Sequence, residues 1–343
     1  MWYVTYVHYF HRYICIITSI LSNNLINTSV PSNILEFRVS PLATIEHLQT
    51  THCPSYIDRY LNGHMTPKEI RNIGFPWSQS HVKRSLSSVG GTVAAAIHVC
   101  QQKQSLQQQQ QQQHSSSDYN DDSIPLFWSA HVAGGTHHAF YDYGEGFCIF
   151  SDIAVAANVI LQKYPDIVKR ILIIDLDVHQ GNGNAVLFQG KDNVLTFSMH
   201  CQNNYFSPKQ QSDLDIELPS DCNDITYLST LHYWLNTKLQ QTLMSNEDDH
   251  TNKHKVVDFL FFQSGVDILK EDRLGKMSLS QKGISKRNQM VYEFAKRNQL
   301  PLVITMGGGY PNHKDNWEPI IDAHSNVYIQ AYEFLQQQQQ QQQ

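Results

Sequence analysis

Two histidines stand side by side in Gly134-Gly135-Thr136-His137-His138-Ala139, and a second polar cluster, Asp175-Leu176-Asp177-Val178-His179-Gln180-Gly181-Asn182-Gly183, closes the next apolar run. Adjacent imidazoles bring two proton-transfer groups together near neutral pH. In extended chain, residues two apart face the same way, so Asp175, Asp177 and His179 can aim at one point. Together the clusters point to a metal-assisted hydrolase with histidine acid–base chemistry. Neither suits a packed interior, where polar groups need partners and isolated charges are costly. A lone Asp-x-Asp-x-His leaves another origin equally open, with one aspartate capping a helix and His179 in a loop.

A metal site needs a third ligand. The apolar stretch 257–263 ends in Ser264-Gly265-Val266-Asp267, which places a carboxylate at the same sheet edge. Asp177, His179 and Asp267 would leave a coordination position open to water, as a catalytic zinc ion requires. The last apolar run is followed by Gly307-Gly308-Gly309-Tyr310, where glycines permit close approach and Tyr310 offers a hydroxyl. Two carboxylates formally neutralise a divalent zinc, so its water is less acidified than in an all-histidine site. Such a centre needs a base and an oxyanion donor, and His138 and Tyr310 have the chemistry for them. His137 would support the charge if Asp175 orients it.

These residues have to be positioned by strands. Short apolar runs at 126–129, 171–175, 194–198, 257–263 and 302–306 read as strands buried on both faces. Helical patterns separate them at 152–164, 224–239 and 280–297, and Thr66-Pro67-Lys68-Glu69 carries the signals of a helix start. Alternation of this kind predicts an α/β fold: a single domain with a central parallel β-sheet and helices on both faces. Ligands in such sheets bind beyond the C-terminal strand ends, where every motif above falls.

Residues 1–32 form a divergent N-terminal segment outside these motifs, and the catalytic domain spans 33–335. It is interrupted by a Gln-rich insertion at about 101–122 and followed by a polyglutamine tail at 336–343. Such tracts bury too little apolar surface to order themselves, so both are expected to be disordered.

The net charge of −6 on 343 residues, without a basic cluster, argues against nucleic-acid binding. The apolar run 14–21 is too short to span a membrane and lacks a small-residue cleavage site, so a soluble intracellular protein is expected. The six cysteines show no CxxC pair and are expected to be free thiols, Cys148 among them a small buried hydrophobe.

The chain resembles the zinc-dependent histone deacetylase superfamily from about Pro41 to Phe334. The resemblance is carried by GGTHHA, Gly144-Glu145-Gly146-Phe147-Cys148, DLDVHQGNG, SGVD, Asp272-Arg273-Leu274-Gly275 and GGGY in that order. Gln180, Asn182 and the DRLG segment look more like class IV enzymes and their bacterial relatives than class I. The resemblance implies an arginase-like fold, with one catalytic zinc ion on Asp177, His179 and Asp267. It makes His138 the general base and acid, His137 its electrostatic partner backed by Asp175, and Tyr310 the donor to the acyl carbonyl. Gly146 would accept a hydrogen bond from substrate, Phe147 would line the lysine tunnel, and Tyr205 or Phe206 would form the opposite wall. Asp175 and Ser198 match positions near a structural monovalent cation.

Where class I members have an aspartate behind the second histidine, this chain has Asn182, which stabilises imidazolium less and makes His138 less basic. The implied substrate is an acyl-lysine on a histone tail or another protein, in the nucleus or cytoplasm, with no membrane partner and no particular oligomeric state. An acetylpolyamine or small-amide hydrolase would use the same residues. A silent scaffold would have lost one of them, and a dimanganese enzyme would need further aspartates.

Overall fold

Eight apolar or alternating runs become strands of one sheet: β1 (Trp2–Tyr6), β2 (Leu35–Val39), β3 (Trp128–Val132), β4 (Ile171–Asp175), β5 (Val194–Cys201), β6 (Leu214–Leu218), β7 (Phe259–Gln263) and β8 (Leu302–Thr305). The computed structural model describes residues 2–6, 35–112, 125–205, 207–244, 257–313 and 316–341. The strand order is β2-β1-β3-β8-β7-β4-β5-β6, and every neighbouring pair is parallel.

Burial explains why the central strands read as continuous apolar runs. Along β4, Leu172 and Ile174 enter the core on one face while Ile171 and Ile173 enter the core on the other. β7 divides the same way, with Leu260 and Phe262 opposite Phe259 and Phe261. Helices Gln79–Gln112 and Asp152–Lys163 supply one core; Asp224–Tyr233, Gln281–Arg297 and Glu318–Gln341 supply the other. A parallel sheet sandwiched in this way needs apolar side chains on both sides. Trp128 of β3 is fully buried, stacked on Phe334 at 5.4 Å and tilted against Tyr292 at 5.5 Å. Trp128→Ala is expected to cost about 3–5 kcal/mol. Urea titration checks this, and a cost below about 1 kcal/mol would show that the site collapses around the smaller side chain.

Chain order identifies where a ligand belongs. From β4 the chain proceeds outward through β5 to β6, then returns to lay β7 on the other side of β4 and β8 beyond it. The gap beyond β4 and β7 is therefore the topological switch point, the customary binding crevice of open α/β sheets.

The predicted α/β architecture and its parallel sheet are present, with shifted bounds: the first predicted strand starts at Trp128 and runs to Val132, and the third extends to Cys201. The start at Thr66 holds as drawn. Its hydroxyl accepts from the Glu69 amide while the Glu69 carboxylate accepts from the Thr66 amide at 2.8 Å.

Other features differ from the sequence reading. β1 comes from the segment set apart as 1–32 and pairs between β2 and β3, its aromatic and β-branched composition favouring a strand; residue 1 and residues 7–34 lie outside the described residues. The insertion placed at about 101–122 is helical through Gln112, as an extension of the packed helix Gln79–Gln112. Glutamine is a good helix former, and lengthening an existing helix needs no new nucleus. Residues 113–122 lie outside the described residues. Residues 336–341 likewise prolong the helix Glu318–Gln341, and 342–343 lie outside. Among the described residues no helix is long and apolar enough to cross a membrane.

Candidate active site

Four adjacent strands, β3, β8, β7 and β4, deliver the candidate residues from their C-terminal ends: His137 and His138, Gly307 to Tyr310, Asp267, and Asp175 to His179. Asp175 lies opposite Gln263 in the β4–β7 register, so Asp177 and Asp267 leave the sheet on the two sides of the switch point.

One potential ligand atom each from Asp177, His179 and Asp267 lies within 4.8 Å of the others. His179 Nδ1 is 3.1 Å from Asp177 Oδ1 and 3.1 Å from Asp267 Oδ2. Ligands at about 2.0–2.1 Å from a tetrahedral zinc stand roughly 3.3 Å apart, so the set has the right size. The remaining carboxylate oxygens are occupied: Asp267 Oδ1 accepts from the Val178 amide at 2.9 Å and Asp177 Oδ2 from the Gly308 amide at 2.9 Å. Asp267 Oδ2 is buried without a hydrogen bond, despite its closeness to His179. A buried, unsatisfied carboxylate oxygen facing an imidazole and a second carboxylate fits a cation site. Two glycines make room. A Cβ on Gly265 would lie 2.1 Å from Asp177 Oδ2, and one on Gly308 2.1 Å from Asp267 Oδ2.

The two adjacent histidines are chemically different because their partners are. His137 Nδ1 donates to Asp175 Oδ2 at 2.7 Å, and its Nε2 is 3.8 Å from Asp177 Oδ1. Burial opposes its charge, but the Asp175 and Asp177 carboxylates outweigh that and raise its pKa to about 9. His138 Nδ1 instead meets the Asn182 amide oxygen at 2.7 Å. Burial first, then the charge on the neighbouring His137, hold its pKa well below the ordinary histidine value. One imidazole is held as a cation and the other as a neutral base, a division of protonation states that active sites use.

The rest of the predicted site surrounds this pair. Gly146 and Phe147 both take left-handed backbone, φ 55° and 67°, which for Phe147 is a strained position. The turn leaves the Phe147 ring half-exposed, 4.9 Å from Phe75 and 6.1 Å from Tyr310. A Cβ on Gly146 would lie 2.8 Å from His138 and 2.4 Å from the Tyr205 hydroxyl. Tyr205 stacks on His138 at 4.2 Å and 13°, and lies 5.6 Å from His179, so it covers the second histidine. Phe206 lies outside the described residues. Asp175 and Ser198 are register partners on β4 and β5. Cys148 is buried, which pushes its thiol pKa up, and the five cysteines among the described residues are free.

Several positioning residues carry no motif signal. Asp152 accepts from the Gly135 amide at 3.0 Å, the Thr136 amide at 2.7 Å and the Thr92 hydroxyl at 2.6 Å, tying down the loop that carries the histidine pair. Gln263 donates to the Gly135 carbonyl at 2.9 Å. Arg287 is fully buried and donates to the Gly265 carbonyl at 2.5 Å and the Ser264 carbonyl at 3.1 Å, fixing the turn before Asp267. Asp152 opens a helix visible in the sequence, but nothing local reveals that its carboxylate faces the histidine loop.

Known proteins bear on this arrangement. A family model described as the histone deacetylase domain matches residues 10–326. An uncharacterized protein of Picosynechococcus sp. is 37% identical over 284 residues, covering 83% of this chain and 81% of that one. Histone deacetylase 2 of Arabidopsis thaliana is 29% identical over 207 residues, 60% of this chain and 49% of its own length. Among solved structures, an HDAC homolog complexed with SAHA superposes with a TM-score of 0.65 at 20% identity, covering 98% of this chain and 84% of that one. The HDA15 HD domain superposes with a TM-score of 0.64 at 18% identity, covering 96% and 88%. These superpositions show a shared fold.

Proposed function

The chain belongs to the histone deacetylase domain family, and from that premise we propose that it is a zinc-dependent hydrolase removing acetyl or other acyl groups from N-acyl-lysine side chains of histones or other proteins. The observation that carries the reading is the meeting, at one switch point, of an Asp–His–Asp cation site with a histidine pair whose Nδ1 atoms face a carboxylate and an amide oxygen, Asp175 and Asn182.

Asp177, His179 and Asp267 would hold the zinc ion, which when bound polarises the amide carbonyl and acidifies water. His138, with its Nδ1 proton committed to Asn182, presents the Nε2 lone pair as the base that takes a proton from the attacking water. The same nitrogen then returns that proton to the departing lysine amine. His137, held cationic by Asp175, offsets negative charge as it develops. Tyr310 donates its hydroxyl to the carbonyl oxygen, a contact that strengthens as that oxygen gains charge. Phe147 lines the passage for the lysine stem, with the Gly146 carbonyl as a hydrogen-bond acceptor. Asp175 and Ser198 would border a monovalent cation that stiffens β4 and β5. The class IV placement rests on Gln180, Asn182 and the DRLG segment.

The test is hydrolysis of a panel of acyl-lysine peptides and acetylpolyamines by the zinc-loaded protein, beside Tyr310→Phe. Turnover of acyl-lysine peptides is expected, with kcat about 10²–10³ lower in the variant. Preference for acetylpolyamines would move the assignment to a small-amide hydrolase. No turnover from folded, zinc-loaded protein would overturn the enzymatic reading.

A further inference from the structure

Glu145 has no part in the mechanism above, yet its carboxylate is buried one residue from the Gly146–Phe147 turn and points at the amide behind the general base. Its Oε1 accepts from Asn182 Nδ2 at 2.9 Å and from the Tyr205 hydroxyl at 3.4 Å, and its Oε2 accepts from the Ser207 hydroxyl at 3.3 Å. Glu145 is 7% exposed. A carboxylate taken out of water to this extent needs such partners.

The consequence lies at the other end of the Asn182 amide. Its Oδ1 accepts from the Gly183 backbone amide at 2.9 Å and meets His138 Nδ1 at 2.7 Å. Turned over, the side chain would set its NH2 against the Gly183 N–H and its oxygen against the Glu145 carboxylate, leaving two like pairs in a buried place. His138 would then face a donor, and its proton would have to move to Nε2, where a general base needs its lone pair. An asparagine, unlike an aspartate, has a wrong way round, and the proton position on the histidine depends on it.

We propose that Glu145 is a positioning residue for the reaction: by accepting from Asn182 Nδ2 it fixes the amide so that His138 keeps its proton on Nδ1 and its lone pair on Nε2. His138, Asn182 and Glu145 thus form a relay in which the carboxylate stands one amide farther from the imidazole than in enzymes with an aspartate behind the second histidine. The inference rests on the deacylase reading for its catalytic meaning, but the proton position is a property of the folded chain.

Two readouts on the full-length, zinc-loaded protein test it. In 15N spectra of histidine-labelled protein, His138 is expected to carry its proton on Nδ1 in the wild type, and to show a mixture of tautomers in Glu145→Ala. In the acyl-lysine assay, Glu145→Ala is expected to lower kcat about 10–100-fold, as loss of an outer hydrogen-bond partner does, with KM within about twofold. Glu145→Gln keeps an acceptor oxygen for Asn182 and is expected to restore the tautomer and most of kcat. If Glu145→Ala melts early, Glu145→Leu supplies comparable bulk without the acceptor. A Glu145→Ala protein that keeps His138 on the Nδ1 tautomer overturns the proposal. So does a defect confined to KM, which would make Glu145 a clamp on the Tyr205 wall. Should the wild type hydrolyse nothing, the tautomer comparison still decides the role of Glu145, so the two readings fail separately.

Discussion

His138→Ala is expected to lower kcat by about 10²–10⁴ while leaving the fold and, on the proposed reading, the zinc content unchanged. Within the active site this side chain alone combines three properties: a neutral imidazole, a proton on Nδ1 committed to Asn182, and a position 5.9 Å, ring centre to ring centre, from His179. His137 is a poorer base, because its Nδ1 is paired with the Asp175 carboxylate at 2.7 Å, which favours the protonated ring. The variant removes a buried imidazole next to the Tyr205 ring, so some stability is lost, but none of the candidate ligands Asp177, His179 and Asp267 is touched. Steady-state kinetics on an acyl-lysine peptide, with metal content and circular dichroism as controls, checks the expectation. A kcat within tenfold of wild type would remove His138 from the role of general base.

Asp267→Ala is the second large effect, and it is read in metal rather than in rate. Asp267 Oδ1 holds the Val178 amide, so the side chain both shapes the β4 loop and leaves Oδ2 facing His179 with no hydrogen bond. On the proposed reading, removing it would take away one of three protein ligands and half of the negative charge that would balance a divalent ion. Zinc content after dialysis is expected to fall from stoichiometric to substoichiometric, a loss beyond the roughly 10–100-fold caused by removing an outer partner. Asp267→Asn keeps an acceptor for Val178 while losing the charge, and is expected to show the same metal loss with a smaller change in melting temperature. Stoichiometric zinc in both variants would reject Asp267 as a required ligand.

Much of this site is legible in the sequence because its residues sit directly after buried strands. A run such as 171–175 announces both the strand and the place where its polar residues emerge. The strand ends at Asp175, however, and the chain bends at 177–179, so Asp175 meets His137 while Asp177 and His179 gather with Asp267. The partners that hold these residues are less legible. Arg287 reaches Ser264 and Gly265 from a helix beyond β7, and Asp152 reaches back to Gly135 and Thr136, contacts that only the tertiary fold creates. Glu145 is visible within a motif, but its direction toward Asn182 depends on the left-handed turn at Gly146 and Phe147. The strands that escaped notice have reasons of their own. β6, Leu-Asp-Ile-Glu-Leu, lies at a sheet edge with alternating exposure, so its charges mask it beside the apolar central strands. The glutamine tracts mislead in the opposite sense, because composition alone cannot show that a packed helix is already running when they begin.

That helical continuation bears on how the gene can vary. Gln107 to Gln111 are exposed on the far part of a helix whose buried residues, between His81 and Cys100, lie well before them. Each glutamine gained or lost there lengthens or shortens a solvent-facing strut by about 1.5 Å and rotates its tip by about 100°. Because the buried residues of that helix end at Cys100, the sheet and the switch point are expected to keep their places. Repeat-length drift in this tract therefore alters the reach of the molecule and leaves its chemistry alone.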